Sequence, residues 1–168
     1  MKIKITVFLA FLFIGFSSNS QTKVGTINSE LIISKMPQLK AVQVRLKNYG
    51  AKLDSINNIK INDYDSKLKA YNAVVKTLND ADKKTKANEI NLLSQDIGKF
   101  RQNGSQMMQL RRNELLRPLY NKITELTSVI AKEKGYTQIL TLTGNEFAYI
   151  DEKFDITKLV LAKLGIKE

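Results

Sequence analysis

The strongest constraint on this chain is a run of apolar side chains spaced by threes and fours on both sides of Asn79. Leu39, Val42, Leu46, Tyr49, Leu53 and Ile56 keep that rhythm, and Tyr64, Leu68, Tyr71, Val75 and Leu78 resume it. Such spacing puts every member on one stripe of an α-helix, as narrow as a coiled-coil seam. A strand would scatter the same residues over both faces. Between Ile56 and Tyr64 the pattern takes two steps of four through Lys60, a stutter that locally unwinds a supercoil. Gly50 weakens helix propensity without ending the pattern. Asn79-Asp80-Ala81-Asp82 then reads as a turn that caps a second helix, with acidic groups in its first turn. That helix carries its own seam at Ile90, Leu93, Ile97, Phe100, Gly104 and Met107. The seam drifts through Leu110, Leu115, Leu119, Ile123, Leu126 and Ile130 to about Lys134. Gly98 and Gly104 each cost the helix roughly 1 kcal/mol against Ala, which points to a bend or a close approach of backbones. Gly135, after Lys132 and Lys134, ends it.

The flanks have a different texture. Lys23–Asn28 reads as a strand, and Ser29 as the cap of a short helix carrying Leu31, Ile32 and Ile33 that stops near Met36-Pro37. Tyr136–Leu142 and Phe147–Ile150 alternate like strands joined at a hairpin turn, Thr143-Gly144-Asn145. Asp155 or Thr157 caps a last helix with Ile156, Leu159, Val160 and Leu164, closed by Gly165. The expected class is therefore α+β, mostly α: a small β-sheet body with a long antiparallel two-helix hairpin inserted between its strands. Pro37 and Pro118 lie nearly equally far from Asn79 along the chain, so an antiparallel hairpin sets them at one height. Pro37 suits a first helical turn, whereas Pro118 removes a backbone bond inside a helix. They mark the expected body–arm joint, with the body at residues 21–37 and 119–168 and the arm at 38–118, its tip near 79. At a rise of 1.5 Å per residue, such an arm reaches roughly 60 Å.

Lys2 and Lys4 precede an apolar run from Ile5 to Phe16, and small Ser18 and Ser20 follow. This is the order of a secretory signal over residues 1–20, with the cut expected between Ser20 and Gln21. The run is shorter than the ~20 residues of a spanning helix. Export sets the compartment and counts against nucleic acid as the partner of a basic chain. The chain has no Cys and no His. Usual zinc sites, Ser-His-Asp and Cys-His catalysis, and disulfides are thereby removed, and no cofactor is expected.

The charge is lopsided, with 27 Lys and Arg against 16 Asp and Glu. Residues 38–134 hold 19 basic and 10 acidic groups, net +9, while 21–37 with 135–168 hold six of each. A solvated helical face explains charge but not that imbalance. The candidate anion- or client-binding residues are Lys76, Lys83, Lys84 and Lys86 near the tip and Lys67, Lys69, Lys99 and Arg101 along the shaft. Arg111 and Arg112 lie nearer the body. Crowded like charges attract anionic partners, and salt weakens that attraction.

Three strings carry a resemblance: KVGTINSELIISKMP at Lys23–Pro37, LLRPLYNKITELTSVIAKEKGYTQILTL at Leu115–Leu142, and EFAYIDEKFDITKLVLAKL at Glu146–Leu164. With the helical insert between them the chain resembles the Skp/OmpH family of periplasmic chaperones. The resemblance implies a homotrimer whose helical hairpins surround a cavity and hold unfolded outer-membrane proteins without ATP. Independently of the resemblance, the field of the basic arm makes anionic lipid headgroups and lipopolysaccharide candidate partners in the envelope. Three other readings compete. One is a coiled-coil scaffold or spacer of the cell envelope that docks a single folded partner. Another is an enzyme built on Asp151, Glu152 and Asp155, although carboxylates before a helix commonly serve as caps. The third is a nucleic-acid-binding coiled coil, which export opposes.

Overall fold

The computed structural model describes residues 22–167. The signal sequence expected over residues 1–20, and its cut at Ser20–Gln21, lie outside the described residues. The elements run β1 (Val24–Ile27), α1 (Ser29–Lys35), α2 (Gln38–Val74), α3 (Asp80–Lys134), β2 (Gln138–Thr141), a 3-10 turn (Glu152–Phe154) and α4 (Thr157–Lys163). They divide into two compact units, residues 22–30 with 124–167, and residues 31–123.

In the unit of residues 31–123, α2 and α3 face each other in opposite chain directions. The seam positions Leu46, Tyr49, Leu68, Tyr71, Ile97 and Phe100 are half-buried, and Val42, Leu53 and Leu119 are buried. Lys60, where the stutter passes, is half-buried as well. Leu110, counted in the drifting part of the seam, instead faces solvent, and Leu116 takes a buried place. The helices part at a turn. The Val75 N–H still donates to the Tyr71 carbonyl at 2.8 Å, and the Asn79 side chain accepts from the Asp82 N–H at 2.8 Å. Asn79 thus caps α3 by satisfying one of its unpaired donors. Pro37 stands just ahead of α2 with φ −57° and ψ −31°, and Pro118 lies inside α3, which continues past it.

The other unit is built on β1. β2 lies beside it in parallel, in the register Val24↔Gln138 to Ile27↔Thr141. Parallel neighbours need a long crossover connection, and the inserted helices provide one. The sequence suggested a further strand at Phe147–Ile150, returning from β2 through a hairpin turn. No such strand forms, and the sheet has two strands among the described residues. After the turn the chain passes to the opposite edge of β1. There the Ile156 N–H donates to the Thr26 carbonyl at 2.9 Å and Thr26 bridges Asp155. The Asn28 N–H meets the Thr157 hydroxyl at 2.9 Å. Both edges of β1 are therefore occupied. Phe147–Ile150 spans the path from β2 to that far edge of β1 instead of returning along β2, and Tyr149 is left 82% exposed. Ile27, Ile130, Ile156, Val160 and Leu161 are the buried apolar side chains of this unit among the described residues. Gly135, at φ +67°, lets the Tyr136 N–H turn back to the Ala131 carbonyl at 2.9 Å, which stops α3 and aims the chain into β2.

Gly25 is the tightest point of this unit. A Cβ there would lie 2.7 Å from Ile139 Cδ1 and 2.8 Å from Tyr136 Cε1, so β1 sits against side chains that leave no room for a methyl group. Gly25→Ala is expected to lower stability by about 1–3 kcal/mol through overpacking. Urea unfolding followed by tyrosine fluorescence would measure it, and an unchanged midpoint would show that Ile139 and Tyr136 yield freely.

Candidate functional site: a cationic helical hairpin

Register decides which cations meet. Lys60 pairs with Asp96 at 2.5 Å, Lys67 with Glu89, and Arg101 Nε donates to Asn57 Oδ1 at 3.3 Å. Arg111 lies 5.7 Å from the centre of the Tyr49 ring, and Met108 lies beside Gly50. Every one of these pairs is centred on residues 78 to 80, so the helices keep one register from the turn down to Tyr49.

Folding the sequence about that centre reveals a charge partition that composition hides. Residues 38–57 and 101–123, which lie side by side, carry nine cationic and two acidic groups, net +7. Residues 58–100, the half that includes the turn, carry eight and six, net +2. Of the sequence candidates, Lys67, Lys69, Lys76, Lys83, Lys84, Lys86 and Lys99 belong to the nearly balanced half. Asp80 lies 3.4 Å from Lys83, and the Asn79–Asp82 cap places another carboxylate beside it. Arg101, Arg111 and Arg112 belong to the strongly cationic half. There Arg111 pairs with Glu114 at 2.7 Å, one turn along the same helix.

Within the hairpin, the ion pair of Lys67 and Glu89 is the one whose protonation the surroundings clearly shift, among the described residues. Its hydrogen bond holds the Lys67 ammonium above its ordinary value, and nearby Asp63 adds to this. The same bond and the charge of Lys67 hold the Glu89 carboxyl below its ordinary value, with help from Lys86.

Two carboxylates after β2, Asp151 and Asp155, are engaged in turns. Asp151 Oδ1 accepts from the Lys153 N–H at 3.1 Å, and the Lys153 ammonium lies 2.5 Å from its carboxylate, which lowers the Asp151 pKa. Asp155 accepts from the N–H and hydroxyl of Thr157 at 2.7 and 2.5 Å, fixing the start of α4. Asp151 and Asp155 thus act as local caps. Among the described residues no group of three or more acidic side chains could hold a metal ion, and no helix is long and apolar enough to cross a membrane.

Two glycines behave differently from the sequence expectation. A Cβ at Gly98 or Gly104 would meet nothing within 4 Å, so neither marks a close approach of backbones. Each leaves a gap instead. Gly104 and Gly50 open a groove of about 630 Å³ between α2 and α3, and Gly98 lines a smaller one of about 310 Å³. The groove's only sequence signal was a pair of glycines on opposite helices at similar distances from Asn79.

The family described as outer membrane protein (OmpH-like) matches the chain over residues 23–164. No curated protein matches it. In fold the chain is similar to a crystallised protein from Caulobacter crescentus, a candidate outer membrane chaperone of OmpH-like type. The identity is 17% and the TM-score 0.61, over 88% of this chain and 86% of that one.

The depressed Glu89 carboxyl fixes the sign of a pH effect. Its contribution to the hairpin is complete above its ordinary value of 4.5 and is lost as pH falls through the lower value it holds in the folded chain. Wild type should therefore melt slightly above Glu89→Gln at neutral pH, with the gap closing on acidification below about pH 4.5. Circular dichroism melts of both proteins across that range check it. A constant gap would mean that the pair contributes nothing.

Proposed function

The chain belongs to the OmpH-like outer membrane protein family, and on that premise we propose that it is an ATP-independent holdase for unfolded outer-membrane proteins in the periplasm. On this reading the segment 1–20 is a cleaved export signal, 38–118 is a client-facing arm, and the remainder is a body through which three copies associate. The reading has no catalytic step.

The observation that carries it is the location of the charge. The whole excess of positive charge beyond the signal lies in the helical hairpin, whose seam side chains are mostly only half-buried. A cationic surface attracts a disordered anionic chain over a distance set by ionic strength. Half-covered Leu, Tyr, Phe and Met side chains then add weak, adaptable contacts without imposing a structure. Many weak contacts retain an unfolded chain and leave it free to fold elsewhere. Anionic lipid or lipopolysaccharide meets the same cations by the same attraction. A scaffold for one folded partner would need a continuous apolar docking patch. The large exposed apolar side chains of the hairpin, Val44, Ile59, Val74, Leu92 and Leu110, are spread along its length instead.

Dilution of a urea-unfolded β-barrel membrane protein into buffer tests the proposal by light scattering. The protein without its first 20 residues should suppress aggregation, and added salt should weaken the suppression. Native mass spectrometry should give about three times the mass of one chain. Aggregation as fast as in buffer alone would end the holdase reading, and a monomeric mass would end the trimer.

A further inference from the structure

We infer that the groove at Gly50 and Gly104 seats a large apolar side chain of the client, whose neighbouring carboxylates lie on Arg101 and Arg112. The inference rests on the holdase reading and deepens it, by naming the kind of segment that binds and the place on the hairpin that takes it.

The groove lies within the cationic half of the hairpin. Its apolar walls are Leu46, Leu53, Phe100 and Met108, and Arg101 and Arg112 also line it. At about 630 Å³ it falls within the roughly 300–1,000 Å³ typical of ligand pockets, and it opens along the hairpin surface. Two helices that otherwise cover each other lack a Cβ there at positions about one helical turn apart. Only Met108 reaches across, its methyl and sulfur 3.6 and 3.8 Å from where a Gly50 Cβ would stand. A thioether with several rotatable bonds can turn aside for an entering ring.

Charge selects the occupant. An acidic chain is drawn to the half with net +7 in preference to the half with net +2, where Lys60, Lys67 and Lys83 already have carboxylate partners. Arg112 has no ion pair among the described residues, and Arg101 donates only to a neutral amide. Asp54 also lines the groove, which opposes an anionic headgroup inside it and favours a neutral ring there, with its acids outside. Arg101 and Arg112 are eleven residues apart on one helix, about 16 Å by rise. An extended peptide covers that distance in about five residues. The fitting segment is therefore an extended stretch with a Phe or similar side chain between two acidic residues spaced by about five.

The test uses a short fluorescent peptide of that design and its Phe→Gly counterpart, with binding read by anisotropy at low salt. Loss of the ring should weaken binding to the wild-type protein about tenfold. Gly104→Phe fills the groove from α3 and should cause the same loss with the Phe peptide, but no further loss with the Gly peptide. Arg101→Glu with Arg112→Glu should weaken both peptides, whereas Lys83→Glu with Lys84→Glu should change binding by less than about twofold. Equal binding of the two peptides to wild type overturns the groove whatever the variants do, so a misfolded variant cannot protect the idea. Equal damage from the Lys83/Lys84 pair overturns the charge assignment. Binding of oleate that Gly104→Phe abolishes, with the Phe peptide unaffected, overturns it in favour of a single-chain amphiphile. A protein that ignores the ring yet still prevents β-barrel aggregation loses only this inference. One that fails both loses the holdase reading as well.

Discussion

The register of α2 against α3 is the constraint on which the hairpin depends. Each helix carries one narrow apolar stripe on an otherwise polar surface, and a helix of that kind draws most of its stability from what covers the stripe. Neither would persist alone in water. The turn before Asn79 and the Asn79 cap fix where α3 begins, and that start fixes every later pairing. A slip by one residue would rotate the stripe of one helix away from the other and separate Lys60 from Asp96 and Lys67 from Glu89. The ion pairs are exposed, so they contribute little energy, but they penalise the wrong register.

The same register turns a one-dimensional charge distribution into a spatial one. Arg111, Arg112 and Arg117 are remote in sequence from Lys40, Arg45 and Lys47, yet the fold lays the two groups side by side. Like charges so placed repel and weaken the compact state. Few carboxylates were provided to quiet them there, whereas the half with the turn holds six. A chain shaped only for solubility would have little reason to leave one half of a hairpin neutralised and the other not. On the proposed holdase reading, the imbalance is a surface kept ready for an anionic partner.

Much of this was legible in the sequence, for reasons that are local. The three-four spacing is imposed by helix geometry, so Val42, Leu53, Leu119 and Ile130 declare their burial without knowledge of the partner. The Asn79 turn is legible because a capping side chain acts within three residues of itself. The strand expected at Phe147–Ile150 failed because a strand is defined by its neighbour, and alternation over four residues says nothing about whether an edge is free. The chain leaves β2 for the far edge of β1, where the segment at Asp155 pairs with Thr26 from more than a hundred residues away, and nothing in the alternation itself announces that route. Gly104 was misjudged for a related reason. A missing side chain permits either close contact or a gap, and only the facing residue decides. The register sets residues 52–56 opposite Gly104, and none of them reaches within 4 Å of where its Cβ would stand, so the outcome is a gap.

The charge candidates divide along the same line. Composition locates an excess of lysine and arginine in the helices, but it cannot say which cations are already answered by a carboxylate on the opposite helix. Lys67 looks as available as Arg112 in a linear reading. Its partner Glu89 lies across the hairpin, and that pairing exists only once the register is known. The residues that remain open to a ligand are therefore a property of the fold rather than of any segment. They are the cations left over after the two helices have satisfied each other. In this chain Arg101 and Arg112 are among those leftovers, and both line the stretch where Gly50 and Gly104 leave the seam open. Guanidinium groups and apolar walls thereby share one groove.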